Sequence, residues 1–417
     1  MIKSSHVPST RRSLFLIFLI MLMDVMGITM LSPVAPQIVL RYSSQALMVT
    51  MITMAYALGQ FVAAPLIGKL GDRYGRRPVL LISIAGQALG YLIFGLGGSM
   101  WVLVLGRIIG GITAGNLSTA GAYIADVSKP EERSKNFAII GTAWSLGLIM
   151  GPAIGGILGS ITLETPAFAS AVFSLLNVAM CAFFLPESLP AEKRDRAPMR
   201  LSDYNPVVSI LAMARKPGLG ILLLVNALFA FAFNGVASTS ALFVIQKFSA
   251  VTGQISLMMI LAGVSIAFTN TFILPRVARK VNEKISGLFS MLGLAGFYVG
   301  MFFVPFLWLI FPLNMLASGM NSFIFPSLTT LSADRVENHE VGSMLGVTSA
   351  VGSLMNVFGP LWAGMVYDHV MVGAPYWMGA IILVLAAGLF SRVKSARSTV
   401  SYTKEGGPPP ASSIPAG

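Results

Sequence analysis

The chain carries 16 Asp and Glu residues, and only Asp24 lies well inside a long apolar stretch, from Ser13 to about Val39. A charge held there costs at least ~2.5 kcal/mol in a bilayer, so an acid kept in such a place is functional by default. Its chemistry is proton exchange, because the neutral form suits lipid and the charged form suits water. Asp368 stands at the outer end of a later apolar stretch, and Arg107 lies within another. Arg107 is a candidate to balance the charge of Asp24, but the two differ in depth by about 10–15 Å at the helical rise of 1.5 Å per residue, which leaves a direct salt bridge open. The competing reading of Asp24 is a neutral structural acid bonded to a neighbouring helix. No enzyme chemistry is visible. His6, His339 and His369 are far apart, Cys181 is the lone cysteine, and no nucleotide-binding loop is present. No catalytic residue, metal or cofactor is therefore expected.

A second constellation is Gly68 to Leu80, GKLGDRYGRRPVL. Gly68 and Gly75 permit tight turning and close helix approach. Asp72 is an anion at a helix end, suited to the N-terminus of a neighbouring helix. Arg73, Arg76 and Arg77 can pair with carboxylates such as Asp126, Glu131 or Glu132. The bland alternative is an ordinary basic loop. Glycines spaced four apart, Gly106 with Gly110 and Gly111 with Gly115, allow close contact in one apolar stretch; Gly147, Gly151 and Gly155 do so in the next, beside Gly156, and Pro152 should bend that helix. Gln60, Gln87, Asn116, Asn234, Asn321 and Asn356 are candidates for a polar cavity wall. Asn177, Asn226 and Asn270 lie in apolar stretches too, and interhelical hydrogen bonds are the alternative for all of them.

The elements that position these residues follow from composition. The 417 residues are 55% hydrophobic and 11% charged, with mean hydropathy +0.79. Soluble domains carry roughly 25% charged residues. Lipid must therefore solvate most of this surface, and helices satisfy their own backbone there. Apolar windows near 20 residues predict twelve spans: 13–39, 46–68, 78–98, 100–125, 136–159, 166–185, 218–246, 254–275, 285–303, 305–332, 342–367 and 374–392. The first is expected to stay in the mature chain rather than serve as a cleaved leader. Of 28 Lys and Arg, 25 fall at one set of alternating ends and two, Arg41 and Lys247, at the other. That bias places both termini in the cytoplasm and explains net charge +12 without nucleic acid. The basic loops would meet anionic membrane lipid.

Four segments are expected: a six-helix half at 1–186, a cytoplasmic linker at 187–217, a second six-helix half at 218–393 and a disordered Ser-, Pro- and Gly-rich tail at 394–417. The halves repeat. Ala125-Asp126 matches Ala333-Asp334, Glu132 matches Glu340 and Gly151-Pro152 matches Gly359-Pro360, all at an offset of 208 residues. Parallel six-span repeats are a transporter signature, with substrate bound near the midplane between halves that rock.

GKLGDRYGRRPVL resembles the signature loop of the major facilitator superfamily. LGRIIGGITAG (Leu105–Gly115) resembles its span-4 motif with an embedded arginine, and GLIMGPAIGG (Gly147–Gly156) its span-5 antiporter motif. SPVAP (Ser32–Pro36) and LPES (Leu185–Ser188) look like the ends of spans 1 and 6 in drug/proton antiporters. LMDVMGI, LLISIAG and AGAYIAD are similar to tetracycline/proton antiporters. Those proteins also carry acids in spans 3 and 9 and a histidine in span 8, which the matching stretches AGQALGYLIF, MLGLAGFYVG and GVSIAFTNTF lack.

The resemblance implies an all-α membrane protein, twelve transmembrane helices in two six-helix repeats. It implies a secondary antiporter that exports small lipophilic compounds or drugs in exchange for protons, with Asp24 and Arg107 coupling, the 68–77 segment and Asp126 gating, and span 5 moving. A multi-pass monomer in the cell membrane is expected, the inner membrane in a Gram-negative source. The alternatives are an uptake carrier for a small metabolite and, from another class, a receptor or sensor that moves no solute.

Overall fold

The computed structural model describes residues 10–194, 206–337 and 340–393. The expected tail at 394–417, the middle of the linker, His6 and His339 lie outside the described residues. Among those described, twelve helices are long and apolar enough to cross a membrane: Thr10–Leu40, Ala46–Ala64, Arg76–Leu96, Met100–Val127, Lys135–Gly159, Thr165–Phe184, Leu219–Phe248, Thr252–Ala278, Glu283–Phe303, Leu307–Ala333, Val341–His369 and Ala374–Ser391. They are spans 1 to 12 below. Span 9 stops at Phe303 and span 10 starts at Leu307, so the break falls at Pro305.

Three spans are not the single rods that hydropathy suggests. Span 1 is helical over Thr10–Met30 and again over Ala35–Leu40. The gap holds Pro33, and Pro36 follows, neither of which can donate to a preceding carbonyl. Span 4 breaks between Ile112 and Asn116, where Thr113 turns its hydroxyl back onto the Ile109 carbonyl at 2.9 Å. Span 8 widens into a π-helical turn at Thr269–Ile273, just before Pro275.

The Gly68–Arg77 segment is a correction to the expected loop. The span-2 helix runs unbroken over Ala46–Tyr74, and the span-3 helix begins at Arg76. Gly75 alone makes the turn, at φ 107, a conformation that L side chains rarely adopt. Pro152 lies inside a continuous helix, Arg133–Gly159.

Glycines set the spacing of the helices. A Cβ on Gly106 of span 4 would come within 2.7 Å of the Gly90 carbonyl of span 3. Along span 5, Gly147, Gly151 and Gly155 form one ridge against Val25, Thr29 and Met30 of span 1. Between the first six and last six spans, span 2 packs on span 11 and span 5 on span 8.

The two ends of the molecule differ. One apolar core joins both halves; its first-half members, such as Leu31, Val49 and Phe94, lie away from the basic loops beside Phe243, Ile255 and Tyr367, while its second-half members run on to Phe390 and Val393. On the basic side the cores are separate. One, around Ile17, Leu80, Tyr123 and Cys181, uses only the first half, and another, around Met213, Leu219 and Met344, only the second. A Cβ added at Gly141 of span 5, or at Gly342 and Gly346 of span 11, would meet open space. The halves are thus joined on one side and parted on the basic side.

Candidate functional site

The break in span 4 turns Asn116 toward span 1. Its Nδ2 donates to Oδ1 of Asp24 at 2.7 Å, and both residues are buried. Asn116 follows Arg107 by nine residues, about 13 Å of helical rise, so the amide meets the acid and the guanidinium does not. Arg107 instead lies over the Tyr56 ring of span 2, 4.5 Å from its centroid, and its buried Nε has no hydrogen-bond partner. Stacking on an aromatic face offsets part of the cost of holding that cation in a span. Tyr56 and Tyr91 lie within electrostatic range of both Asp24 and Arg107.

Beside this cluster, between the halves, are two adjoining cavities of about 280 and 240 Å³. They share Ser32, Ala237 and Met259 and so form one chamber. The larger part is walled by Met258, Phe233, Tyr298 and Tyr376, with hydroxyls and amides interspersed. Soft, polarisable methionine and aromatic surface suits varied apolar ligands. Arg107 opens on the smaller part and is the one charged residue on the described walls. Pro152 of span 5 lines the larger part. Proline cannot bond the carbonyl four residues before it. That carbonyl, on Leu148, would lie 3.3 Å from a Cβ on Gly263 of span 8. Gly156 faces Ser256 of the same span.

Of the six polar candidates, Asn234 and Asn356 line the smaller cavity and Asn321 the larger. The other three do not line either. Gln60 donates to the Ala114 carbonyl at 3.4 Å, Gln87 accepts from Tyr91 at 3.4 Å within span 3, and Asn116 holds Asp24. Sequence reading passed over Asn314, which lines the chamber and donates to the Met258 carbonyl at 3.2 Å. Its position in an apolar window was the available signal. Asn177 and Asn226 bond the carbonyls of Ile20 and Thr348, as interhelical ties.

On the basic side, Arg76 sits between two acids, with Asp72 Oδ1 at 2.6 Å and Asp126 Oδ2 at 3.2 Å. Glu187, from the LPES stretch, caps the start of span 3 by accepting from the amides of Arg76 at 2.9 Å and Arg77 at 3.3 Å. Glu187 was not singled out in sequence, since it lies more than a hundred residues from these amides. Arg77 donates to the Ala182 carbonyl. Arg73 is exposed, its guanidinium 5.7 Å from the Tyr74 ring centroid. Gly68 faces open space.

The chain matches the Major Facilitator Superfamily over residues 17–360. It belongs to that superfamily. Among curated proteins it is 32% identical to the class C tetracycline resistance protein of Escherichia coli, over 88% of this chain and 91% of that one. It is 25% identical to multidrug resistance protein 2 of Bacillus subtilis (strain 168), over 89% and 94% of the two chains. Among solved structures, the human organic anion transporter MFSD10 (TETRAN) superimposes with a TM-score of 0.69 at 26% identity, covering 92% of this chain and all of that one. As a member of the Major Facilitator Superfamily, the protein is a multi-pass membrane transporter of small molecules and not an enzyme.

The superfamily fold brings one more pair of groups together, on the side opposite the basic loops. Asp368, at the end of span 11, accepts from the backbone amides of Ala46 at 2.7 Å and Leu47 at 2.9 Å. These are the first two residues of the span-2 helix, whose amides lack intrahelical acceptors. The acid of one half thus caps a helix of the other. Thr252 of span 8 adds a bond to Gln37 of span 1 at 3.1 Å.

Proposed function

We propose that the protein is a proton-coupled antiporter that exports small lipophilic compounds by alternating access, with Asp24 as the proton-carrying group. The observation that carries this reading is the pairing of Asp24 with Asn116 at the span-4 break, beside an apolar chamber between the halves. A buried carboxylate with one amide donor is only partly satisfied when charged, so its charged state is sensitive to what enters the chamber. The relatives, a tetracycline resistance protein and a multidrug resistance protein, support export of drug-like molecules. The excess of Lys and Arg supports a cytoplasmic location for both termini and the basic loops. The described state is then open to the cytoplasm and closed outside by Asp368 and Ala46. In the opposite state, Asp72 would cap the N-terminus of span 11 as Asp368 caps span 2. Asp126 and Glu187 hold Arg76 and Arg77 in place for that exchange, and the glycine face of span 5 supplies the sliding surface.

A second reading concerns the substrate's charge. Asp24 does not line the chamber, while Arg107 stands on its wall, which favours neutral or anionic compounds over cations. The likeness to a human organic anion transporter agrees with this. The test is transport into everted vesicles, with an imposed pH gradient and a panel of neutral, anionic and cationic lipophilic dyes. Gradient-driven accumulation of neutral or anionic dyes is expected. Failure of every dye to respond to the gradient overturns proton coupling, and accumulation of cations alone overturns the second reading.

A further inference from the structure

We infer that a groove among spans 8, 9 and 10 binds an anionic phospholipid from the leaflet on the basic side. The groove is distinct from the central chamber. Its main part, about 560 Å³, is walled by Phe268, Ile273 and Val277 of span 8, Phe289 of span 9 and Met320 of span 10. A second cavity of about 470 Å³ adjoins it and shares Phe268, Ile273, Val277 and Val281. The second cavity also borders Arg276, Arg279 and Lys280. Apolar wall therefore runs into a basic mouth without interruption.

The dimensions fit one lipid tail. Ser265 and Val277 both line the groove and lie twelve residues apart, about 18 Å of helical rise. Half of a ~30 Å hydrocarbon core is ~15 Å. The groove thus reaches from mid-bilayer to the basic surface. The π-helical turn Thr269–Ile273 lines it, and such turns displace side chains from regular helical register. Opposite it, Gly319 of span 10 leaves room, since a Cβ there would sit 3.2 Å from Thr269 Oγ1.

The charges fit the headgroup. Arg276 donates to the Phe272 carbonyl and is partly committed. Arg279 and Lys280 are exposed, and none of the described ion pairs uses them. Glu283 opens span 9 nearby but forms none of those pairs either. Two free cations at the surface end of an apolar groove recognise a phosphate with attached acyl chains, and basic pockets between membrane helices are a known class of anionic-lipid site.

The experiment is lipid retention and thermal stability of the purified full-length protein, given phosphatidylglycerol, phosphatidylcholine or glycerol phosphate. Wild type should retain phosphatidylglycerol in preference to phosphatidylcholine and be stabilised by it, while glycerol phosphate has no effect. The double variant Arg279→Gln, Lys280→Gln should lose about tenfold or more in affinity for phosphatidylglycerol. The control Arg133→Gln, Lys135→Gln removes equal charge elsewhere and should keep the preference. Ser286→Phe fills the groove, leaves the cations in place and should also abolish retention. The inference is overturned by equal retention of both lipids in wild type, by equal loss in the control, by stabilisation with glycerol phosphate alone, or by undiminished retention in Ser286→Phe.

Discussion

Asn116 Nδ2 lies 2.7 Å from Asp24 Oδ1, a bond between spans 4 and 1 that exists because span 4 stops being helical for three residues before Asn116. A continuous span-4 helix would rotate residue 116 by roughly 100° per inserted residue and lose this register. The acid and its amide are therefore one unit, and Asn116→Ala should disturb coupling more than folding. Removing a partner of a buried polar group costs about 1–3 kcal/mol. Gradient-driven transport should fall about tenfold or more, while downhill substrate exchange persists. Initial rates in vesicles with and without a pH gradient check this, and equal loss in both conditions would make Asn116 a general structural residue.

Asp368 caps two backbone amides of the opposite half. Hydrogen bonds to charged groups contribute about 1.5–3 kcal/mol each. Asp368→Asn keeps the volume and removes the charge. It should shift the population toward the state open on Asp368's side by about tenfold, read as faster labelling of a cysteine placed at Ser43 by a membrane-impermeant maleimide. Unchanged labelling would mean that span 2 is capped without need of the charge.

Much of this architecture can be read from the sequence, because the bilayer imposes a length and a polarity that few other contexts impose. The twelve windows and the intramembrane Asp24 follow from that constraint, whereas the break at Pro305 rests on the proline, because the apolar run hardly pauses there. Asp368 is conspicuous in sequence only as an acid at a span end. Its partner is a backbone amide 322 residues away, and backbone amides carry no residue-type signal. Asn116, Asn314 and Gln87 look alike as amides in apolar windows, yet one holds an acid, one lines the chamber and one faces its own helix. Which face an amide takes depends on breaks such as that at Thr113–Gly115, where no proline marks the site. The Gly68–Arg77 segment shows the opposite failure. Its charges suggest a loop, but polar helix ends projecting into water are equally rich in charge, and only Gly75 turns.

Span 5 presents Gly147, Gly151 and Gly155 to span 1. Gly155→Ala would drive a methyl group onto the Met30 carbonyl, and overpacking of this kind costs about 1–3 kcal/mol. Thermal unfolding in detergent should begin several degrees lower, and transport should fall with it. Gly141→Ala, where a Cβ meets open space in the described state, is the matched control and should leave the unfolding temperature unchanged.

Asp72 is 47% exposed at its side chain, so its ion pair with Arg76 contributes well under 1 kcal/mol in the described state. Asp72→Asn should therefore leave protein level and membrane insertion near normal. Its proposed partner is the N-terminus of span 11 in the alternate state, so transport should drop at least tenfold all the same. Full transport in this variant would reduce the segment to a topology signal.

The central claim is that Asp24 carries the coupled proton. Asp24→Asn fixes the neutral shape of the side chain and still accepts the hydrogen bond from Asn116, so the fold should be kept. Purified wild type and variant should be reconstituted into liposomes, an imposed pH gradient applied, and accumulation of a transported dye compared with its downhill exchange. The account predicts that the variant exchanges dye but no longer accumulates it against its gradient. Accumulation by Asp24→Asn equal to wild type would contradict the account and leave Asp24 a structural acid.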